Sequence, residues 1–297
     1  MTIASEIQRV QTNIASAYTA LAAKGATMPT ERNSANLVST IASVSGGGGG
    51  EAFGVSVSDL LGVVDESGTC TTPSEEFYFD GSSIKKLSVS FTNKFQSNKK
   101  IAGFYIPNLT TIAVSSAFNG VCSGCANLKE VTLPAIEAFA NTAFRNAFYG
   151  CTSLTSLVVP FTKISGANVC YATFSGCTNL ATVTFPNLTE IGSSSSAAYG
   201  MFTGCTKLKE ISFPVLATIG ATSSVQTMFS NCTGLTKVSF PALTTTTDLG
   251  TSSGWMFKGC SALTEIHFRA DMQSTIEALA GYANKWGADN ATVYFDL

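Results

Sequence analysis

Charge and histidine are what this sequence has least of. Only 12% of its 297 residues are Asp, Glu, Lys or Arg, and histidine occurs once. An ordinary soluble domain carries about a quarter charged residues. A formal net charge of −2 gives no electrostatic basis for binding nucleic acid or an anionic membrane. The nearest thing to a basic cluster, Lys94, Lys99 and Lys100, reads as solvated lysines. No apolar run reaches the roughly 18 residues of a membrane span. The amino terminus lacks a basic n-region and an apolar h-region. The expectation is therefore a chain made in a cytoplasm, with any exterior role reached by another route. Low charge beside 45% hydrophobic residues argues against disorder.

What is present is a repeat. Cysteine recurs at 125, 151, 177, 205, 232 and 260, at intervals of 26, 26, 28, 27 and 28 residues. Proline stands nine residues after each of the first five cysteines, at 134, 160, 186, 214 and 241. Self-similarity at such a period marks a solenoid. Apolar residues lie three, six and eight after each cysteine, as in Leu180, Val183 and Phe185. The last two of each set alternate as the inward face of a short strand does, and proline ends the strand. Leu109, Leu188, Leu216 and Leu243, two residues after proline, turn the chain back to the core. Phe148, Phe174, Phe202, Phe229 and Phe257, three before cysteine, plug the opposite side. Asn98 holds the cysteine slot in a degenerate first copy.

Nine cysteines could suggest a disulfide framework. Six sit at one repeat position, however, where equivalent residues of neighbouring coils stack side by side. A ladder of buried thiols suits that placement better than bridges. Cys122 and Cys125 form a single CxxC without a second pair or a histidine at ligand spacing, so no metal is expected. Cys122 also fills the slot that is phenylalanine in other copies. Cys70 and Cys170 stand outside the pattern.

The remaining segments flank the repeats. Ile3, Ile7, Val10, Ile14, Ala17 and Leu21 follow heptad spacing within a helix over residues 3–24. That seam can either pack on a neighbouring helix or oligomerise the chain, a trimer being one option. Leu37, Ile41 and Val44 mark a second short helix. Residues 1–45 thus form a helical attachment or oligomerisation module, and 46–50 a polyglycine linker. Residues 51–94 read as an amino-terminal cap with β-type runs at Phe53–Val57, Phe77–Phe79 and Leu87–Phe91. The solenoid spans 95–268. Residues 269–297 read as a carboxy-terminal cap of one helix and one strand. In it, Ser274 and Glu277 form a capping box, and Ile276, Leu279, Ala280 and Ala283 an apolar face. Trp286 and Tyr294 belong to the cap core. The fold expected is a β-rich α+β solenoid of 26–28-residue coils with both ends capped, preceded by the helical module.

The pattern FxGCxxLxxVxFPxLxxIG over residues 95–268 resembles the BspA-type leucine-rich repeat of bacterial and protist surface proteins. That resemblance implies a binding scaffold whose relatives engage diverse host or matrix components. Residues 1–45 with the polyglycine resemble amino-terminal modules of tail-associated proteins from phages of gut bacteria. Together the resemblances imply a virion protein of the phage tail or baseplate that binds the host bacterial surface. They also imply other tail or baseplate proteins as partners of residues 1–45. The alternative is a bacterial cell-surface adhesin.

An enzyme needs converging acids, bases or nucleophiles. The lone His267 lies between inward Ile266 and Phe268, so it is expected to face outward and exposed, equivalent to Thr132, Val158, Thr184, Ser212 and Ser239. No catalytic set assembles around it, and no cofactor is implied. Two surfaces then compete to bind a bacterial surface glycan or protein. The first is the outward strand columns, with Lys209, Glu210, Lys237, Glu265 and His267. The second is the variable segments around Ser193–Tyr199, Ala221–Gln226 and Thr244–Trp255, which read as loops carrying Tyr199 and Trp255. Four Asn-x-Ser/Thr triplets, at Asn108, Asn187, Asn231 and Asn290, read as chance.

Overall fold

A computed structural model describes residues 76–80, 84–87, 90–137, 139–192, 194, 196–220, 223–247, 249–250 and 254–297. All belong to the compact unit Val55–Leu297. The helical module 1–45 with its heptad residues, the glycine linker, Cys70 and the run Phe53–Val57 lie outside the described residues.

Among the described residues, fifteen short strands follow one another. The leading coils contain β1 (Phe77–Asp80), β2 (Lys86–Leu87), β3 (Ile101–Tyr105) and β4 (Thr111–Ile112). Next come β5 (Glu130–Thr132), β6 (Ser156–Val158), β7 (Lys163–Ile164), β8 (Thr182–Thr184) and β9 (Glu190–Ile191). Then β10 (Glu210–Ser212), β11 (Thr218–Ile219), β12 (Lys237–Phe240) and β13 (Thr245–Thr246) complete the middle coils. The last pair is β14 (Glu265–Phe268) and β15 (Thr292–Phe295).

Every pairing is parallel, one coil to the next, as a solenoid requires. The strands after cysteine form one sheet face in three hydrogen-bonded pieces, β1-β3-β5, β6-β8 and β10-β12-β14-β15. Contacts of β5 with β6 and of β8 with β10 join the pieces. The strands after proline form a second, narrower sheet, β7-β9-β11-β13 and β2-β4. Sequence reasoning did not anticipate this sheet. Its signal was the second residue of each pair, Ile112, Ile164, Ile191 and Ile219, all buried.

The third side of each coil is a ladder of tight turns. Between Ser116 and Gly124, alternate N–H groups point along the axis, as in Phe118 N–H to Ala143 O at 2.7 Å and Gly120 N–H to Arg145 O at 2.9 Å. The intervening ones close turns within the coil, as in Val121 N–H to Phe118 O at 3.1 Å. Every fourth residue takes a left-handed conformation: Ser116, Gly120 and Gly124, then Thr142, Asn146 and Gly150, then Asn168, Ala172 and Gly176. The glycine of FxGC is therefore a backbone requirement. Gly176, at φ +74°, closes the last turn before the cysteine.

The core runs along the axis as side-chain columns. Phe148, Phe174, Phe202, Phe229 and Phe257 stack at centroid separations of 5.3, 5.6, 5.7 and 6.1 Å. Phe213, Phe240 and Phe268 form a second column. The eight cysteines described are free and buried. Each repeat thiol donates to a carbonyl one coil back: Cys177 to Phe148 at 3.3 Å, Cys232 to Phe202 at 3.1 Å, and Cys151 to Cys122, which holds the phenylalanine slot, at 3.2 Å. In the first copy Asn98 Oδ1 instead accepts from Lys100 and Ile101 N–H, at 2.7 and 3.1 Å.

The carboxy-terminal cap departs from the sequence reading. A 3-10 turn at Ala270–Met272 leads into α1 (Gln273–Glu277), and a second 3-10 segment occupies Tyr282–Gly287. Ser274 lies inside α1, so no capping box forms there; the residue preceding the helix, Met272, makes no side-chain cap. Ile276 and Met272 are buried, whereas Ala280 and Ala283 are exposed, because the helix ends before a second turn can present them to the core. Trp286 is fully buried, its indole N–H donating to Ala280 O at 3.1 Å. Tyr294, by contrast, is 39% exposed on the outward side of β15, since alternation along β15 points Val293 and Phe295 inward.

Candidate binding face

Two surfaces were in competition, and the structure treats them differently. Of the segments read as variable loops, 196–199 and 223–226 belong to the turn ladder, whereas Thr245–Thr246 is β13 of the second sheet. Tyr199 stacks on Tyr171 at 4.9 Å with 3° between ring planes, and the Arg145 guanidinium lies 4.8 Å from the Tyr171 centroid. This column spends the ring faces on each other. Trp255 packs under the cap, where a Cβ on Gly281 would collide with its indole. It is a partly buried member of the core boundary.

The outward side of the first sheet is open. Register places Glu210, Lys237, Glu265 and Thr292 in one column, and Ser212, Ser239, His267 and Tyr294 in the next. Further along, Ser156 pairs with Thr182 and Val158 with Thr184. Two grooves of about 480 and 490 Å³ lie on this face. The first is lined by Thr182, Thr184, Lys209, Glu210, Ser212 and Lys237, among others. The second is lined by Lys129, Glu130, Thr132, Ser156, Val158 and again Thr182 and Thr184. The shared threonines make the two one trough crossing β5, β6, β8, β10 and β12.

At the carboxy-terminal end, Lys237, Glu265 and His267 come together as the strand columns imply, but with a companion that sequence reasoning missed. His267 is only 7% exposed, a correction to the exposed position expected of it. Its Nδ1 lies 2.8 Å from Asp296 Oδ1, its Nε2 lies 3.1 Å from Glu265 Oε2, and its ring stacks on Tyr294 at 4.7 Å. It does project outward, but β15 brings Tyr294 and Asp296 alongside and covers it. Lys237 Nζ stands 3.0 Å from Glu265 Oε2. Hydrogen bonds from His267 and then Lys237 hold the Glu265 carboxyl below its ordinary range, and Glu265 in turn raises Lys237.

The amino-terminal end carries two tyrosines that sequence reasoning also missed. Tyr78 and Tyr105 stack at 6.2 Å, over a strand glycine, Gly103, whose Cβ would collide with both rings. Tyr105 donates to Glu130, and Lys129 pairs with Glu76 at 3.0 Å. That pairing lowers Glu76 and raises Lys129. Tyr105 had a signal, seven residues after Asn98 in the outward slot. Tyr294 and Asp296 had none, because the cap has no cysteine to set the register.

Among the described residues no group of three or more His, Cys, Asp or Glu could hold a metal. Cys170, Cys177 and Cys260 are poor nucleophiles, since burial pushes their thiols up to about 12. No helix among the described residues is long and apolar enough to cross a membrane.

The family model described as the BspA type leucine rich repeat region matches in six copies, over residues 70–147, 89–195 and 143–279. This chain belongs to the BspA-type leucine-rich repeat family. Among solved structures, a leucine-rich repeat protein of T. pallidum is 26% identical, with 55% of this chain and 64% of that one covered and a TM-score of 0.35. The chain therefore spans less than two thirds of that relative. A leucine-rich cell surface protein of Faecalibacterium prausnitzii is 19% identical, covering 59% and 68%, with a TM-score of 0.22. An internalin of Listeria monocytogenes is 14% identical, covering 72% and 60%, with a TM-score of 0.28. No curated protein matches the chain.

Proposed function

We propose that this BspA-type chain is a non-enzymatic binding protein that engages a bacterial surface through the outward face of its first sheet. The observation that carries the reading is the trough: two grooves joined at Thr182 and Thr184 on a sheet backed by an apolar core. A site built on strands is held rigid before any ligand arrives, which lowers the cost of binding. On the turn-ladder side, Tyr171 and Tyr199 are engaged with one another.

The setting we propose is a phage tail or baseplate, with residues 1–45 attaching or oligomerising the chain beside other tail proteins. The heptad spacing of Ile3, Ile7, Val10, Ile14 and Leu21 and the glycine tether favour it. A bacterial surface adhesin would use the same face, and BspA-type membership fits it equally. Fluorescently labelled full chain on a panel of bacterial cells tests the face. Retained staining by Tyr199→Ala and lost staining by Ser212→Arg are expected; the reverse pattern sinks the assignment. Immunogold labelling of phage particles against bacterial envelopes separates the two settings.

A further inference from the structure

We infer that the trough takes a linear, uncharged polysaccharide, one sugar over each coil. The inference rests on the strand face being the binding face and adds the chemistry of what binds there. The lining comes first. Thr132, Ser156, Thr182, Thr184, Ser212 and Ser239 place hydroxyls on the floor coil after coil. A hydroxyl both donates and accepts, which is what sugar hydroxyls require of a partner. Ser239 already donates to Ser212 at 3.0 Å, so neighbouring coils are within reach of one linked network.

Charge is the second observation. Lys129 is paired with Glu76, and Lys237 with Glu265 and opposite Glu210 in register. Lys209 is followed directly by Glu210. Lysines and glutamates offset one another along the trough, which leaves no field of one sign to attract a charged polymer. Its middle, Ser156, Val158, Thr182 and Thr184, carries no charge at all.

Anchors are the third. The residues that carry most of the affinity for a protein partner are enriched in Trp, Tyr and Arg at the centre of the face. Among the described residues, the large hydrophobic side chain exposed in the middle of the trough is Val158, at 54%. Spacing completes the argument. Parallel strands lie about 4.8 Å apart, close to the length of one pyranose residue in an extended chain. The five strands under the trough, hydrogen-bonded as β6-β8 and β10-β12 and in contact at β5/β6 and β8/β10, match about four or five sugars.

The test uses the full chain on an array of linear oligosaccharides of increasing length, uncharged and carboxylated, and labelled full chain on bacterial cells. Binding to uncharged chains is expected to tighten up to about four or five sugars and then level off. It should hardly change with salt, because no ion pair forms. Thr182→Arg and Thr184→Arg should each weaken it by about tenfold or more. Thr182→Ala with Thr184→Ala, exposed and harmless to the core, should weaken it through lost hydrogen bonds. Preference for the carboxylated chains, or no binding to any oligosaccharide, overturns the inference. Cell staining that survives periodate oxidation and is lost to proteinase K identifies a protein partner and also overturns it, while the strand-face reading stands. Staining that survives both arginine variants removes the strand face itself.

Discussion

The Cys205 thiol donates to the carbonyl oxygen of Phe174, in the coil before it, at 3.3 Å. The same bond recurs from Cys125 to Phe95 at 2.8 Å and from Cys260 to Phe229 at 2.9 Å. The residue in this slot must be small, apolar enough to bury, and able to give one hydrogen. Cys205→Ala keeps the size and loses the donor. We expect it to cost about 1–2 kcal/mol, from a lost hydrogen bond and a small void. Urea unfolding of the full chain measures this, and unchanged stability would remove the bond from the account.

The thiols also set an alkaline limit. Burial raises Cys177 and Cys260 to about 12 in the fold, from an ordinary value near 9. The unfolded chain therefore releases protons first as pH rises. The stability from keeping these thiols protonated is complete below about 9 and is lost on the way to about 12. Melting temperature should fall across that window, and less steeply in Cys177→Ala. Iodoacetamide should spare the native thiols at neutral pH and modify them in denaturant.

Gly176 separates strain from space. A Cβ there would meet its nearest neighbour, Gly150 Cα, at 3.6 Å, which is ordinary contact. Its φ of +74° is the obstacle. Gly176→Ala should cost about 1–2 kcal/mol through backbone strain alone. Asn231, at φ +57° in the same slot, should tolerate glycine without loss. Thermal melts of both variants check the pair.

The contacts of His267 with Tyr294 and Asp296 clasp β15 to β14, and this clasp has an acid limit. Glu265 has its carboxyl lowered by His267 and then Lys237. Its contribution is present above the ordinary carboxylate range and is lost as pH falls through its depressed value. The protection factors of the Thr292–Phe295 amides, taken against the intrinsic exchange rate at each pH, should fall on acidification and in Glu265→Gln at neutral pH. Equal protection in both proteins would count against the clasp.

The heptad yields the last prediction. Light scattering of the full chain should give a multiple of the 30.9 kDa chain mass. Ile7→Asp with Ile14→Asp should return it to a single copy, since charge at core seam positions disrupts association. A monomeric parent chain refutes the oligomer.

Repeat length, core ladder and family were legible in the sequence because six copies vote on each position. A phenylalanine at one slot is an accident; at five equivalent slots it is a packing rule, and the stacked rings follow. The second sheet was missed because each of its strands is only two residues long, too short to show alternation. The turn ladder was mistaken for loops. Its period of four rests on backbone conformation, and Ser, Thr, Asn, Ala and Gly all occupy the left-handed positions. The cap was misread for the opposite reason. With one copy there is no vote, so a plausible capping box at Ser274 had nothing to correct it. His267 shows the same limit within the face: its column follows from the repeat, but its cover comes from Tyr294 and Asp296, beyond it.

Because neighbouring coils are bonded N–H to carbonyl along the turn ladder as well as along both sheets, the molecule has a fixed grain. A single inserted residue between Ser116 and Gly124 would put every later turn out of step with the coil beside it. A whole block, for instance the 26 residues from Cys151 to Cys177, could be duplicated or deleted with each cut end meeting an equivalent partner. Unequal exchange between copies is thus the path of least resistance for change. It would alter the span of the outward face in steps of one strand while leaving the chemistry of each step intact.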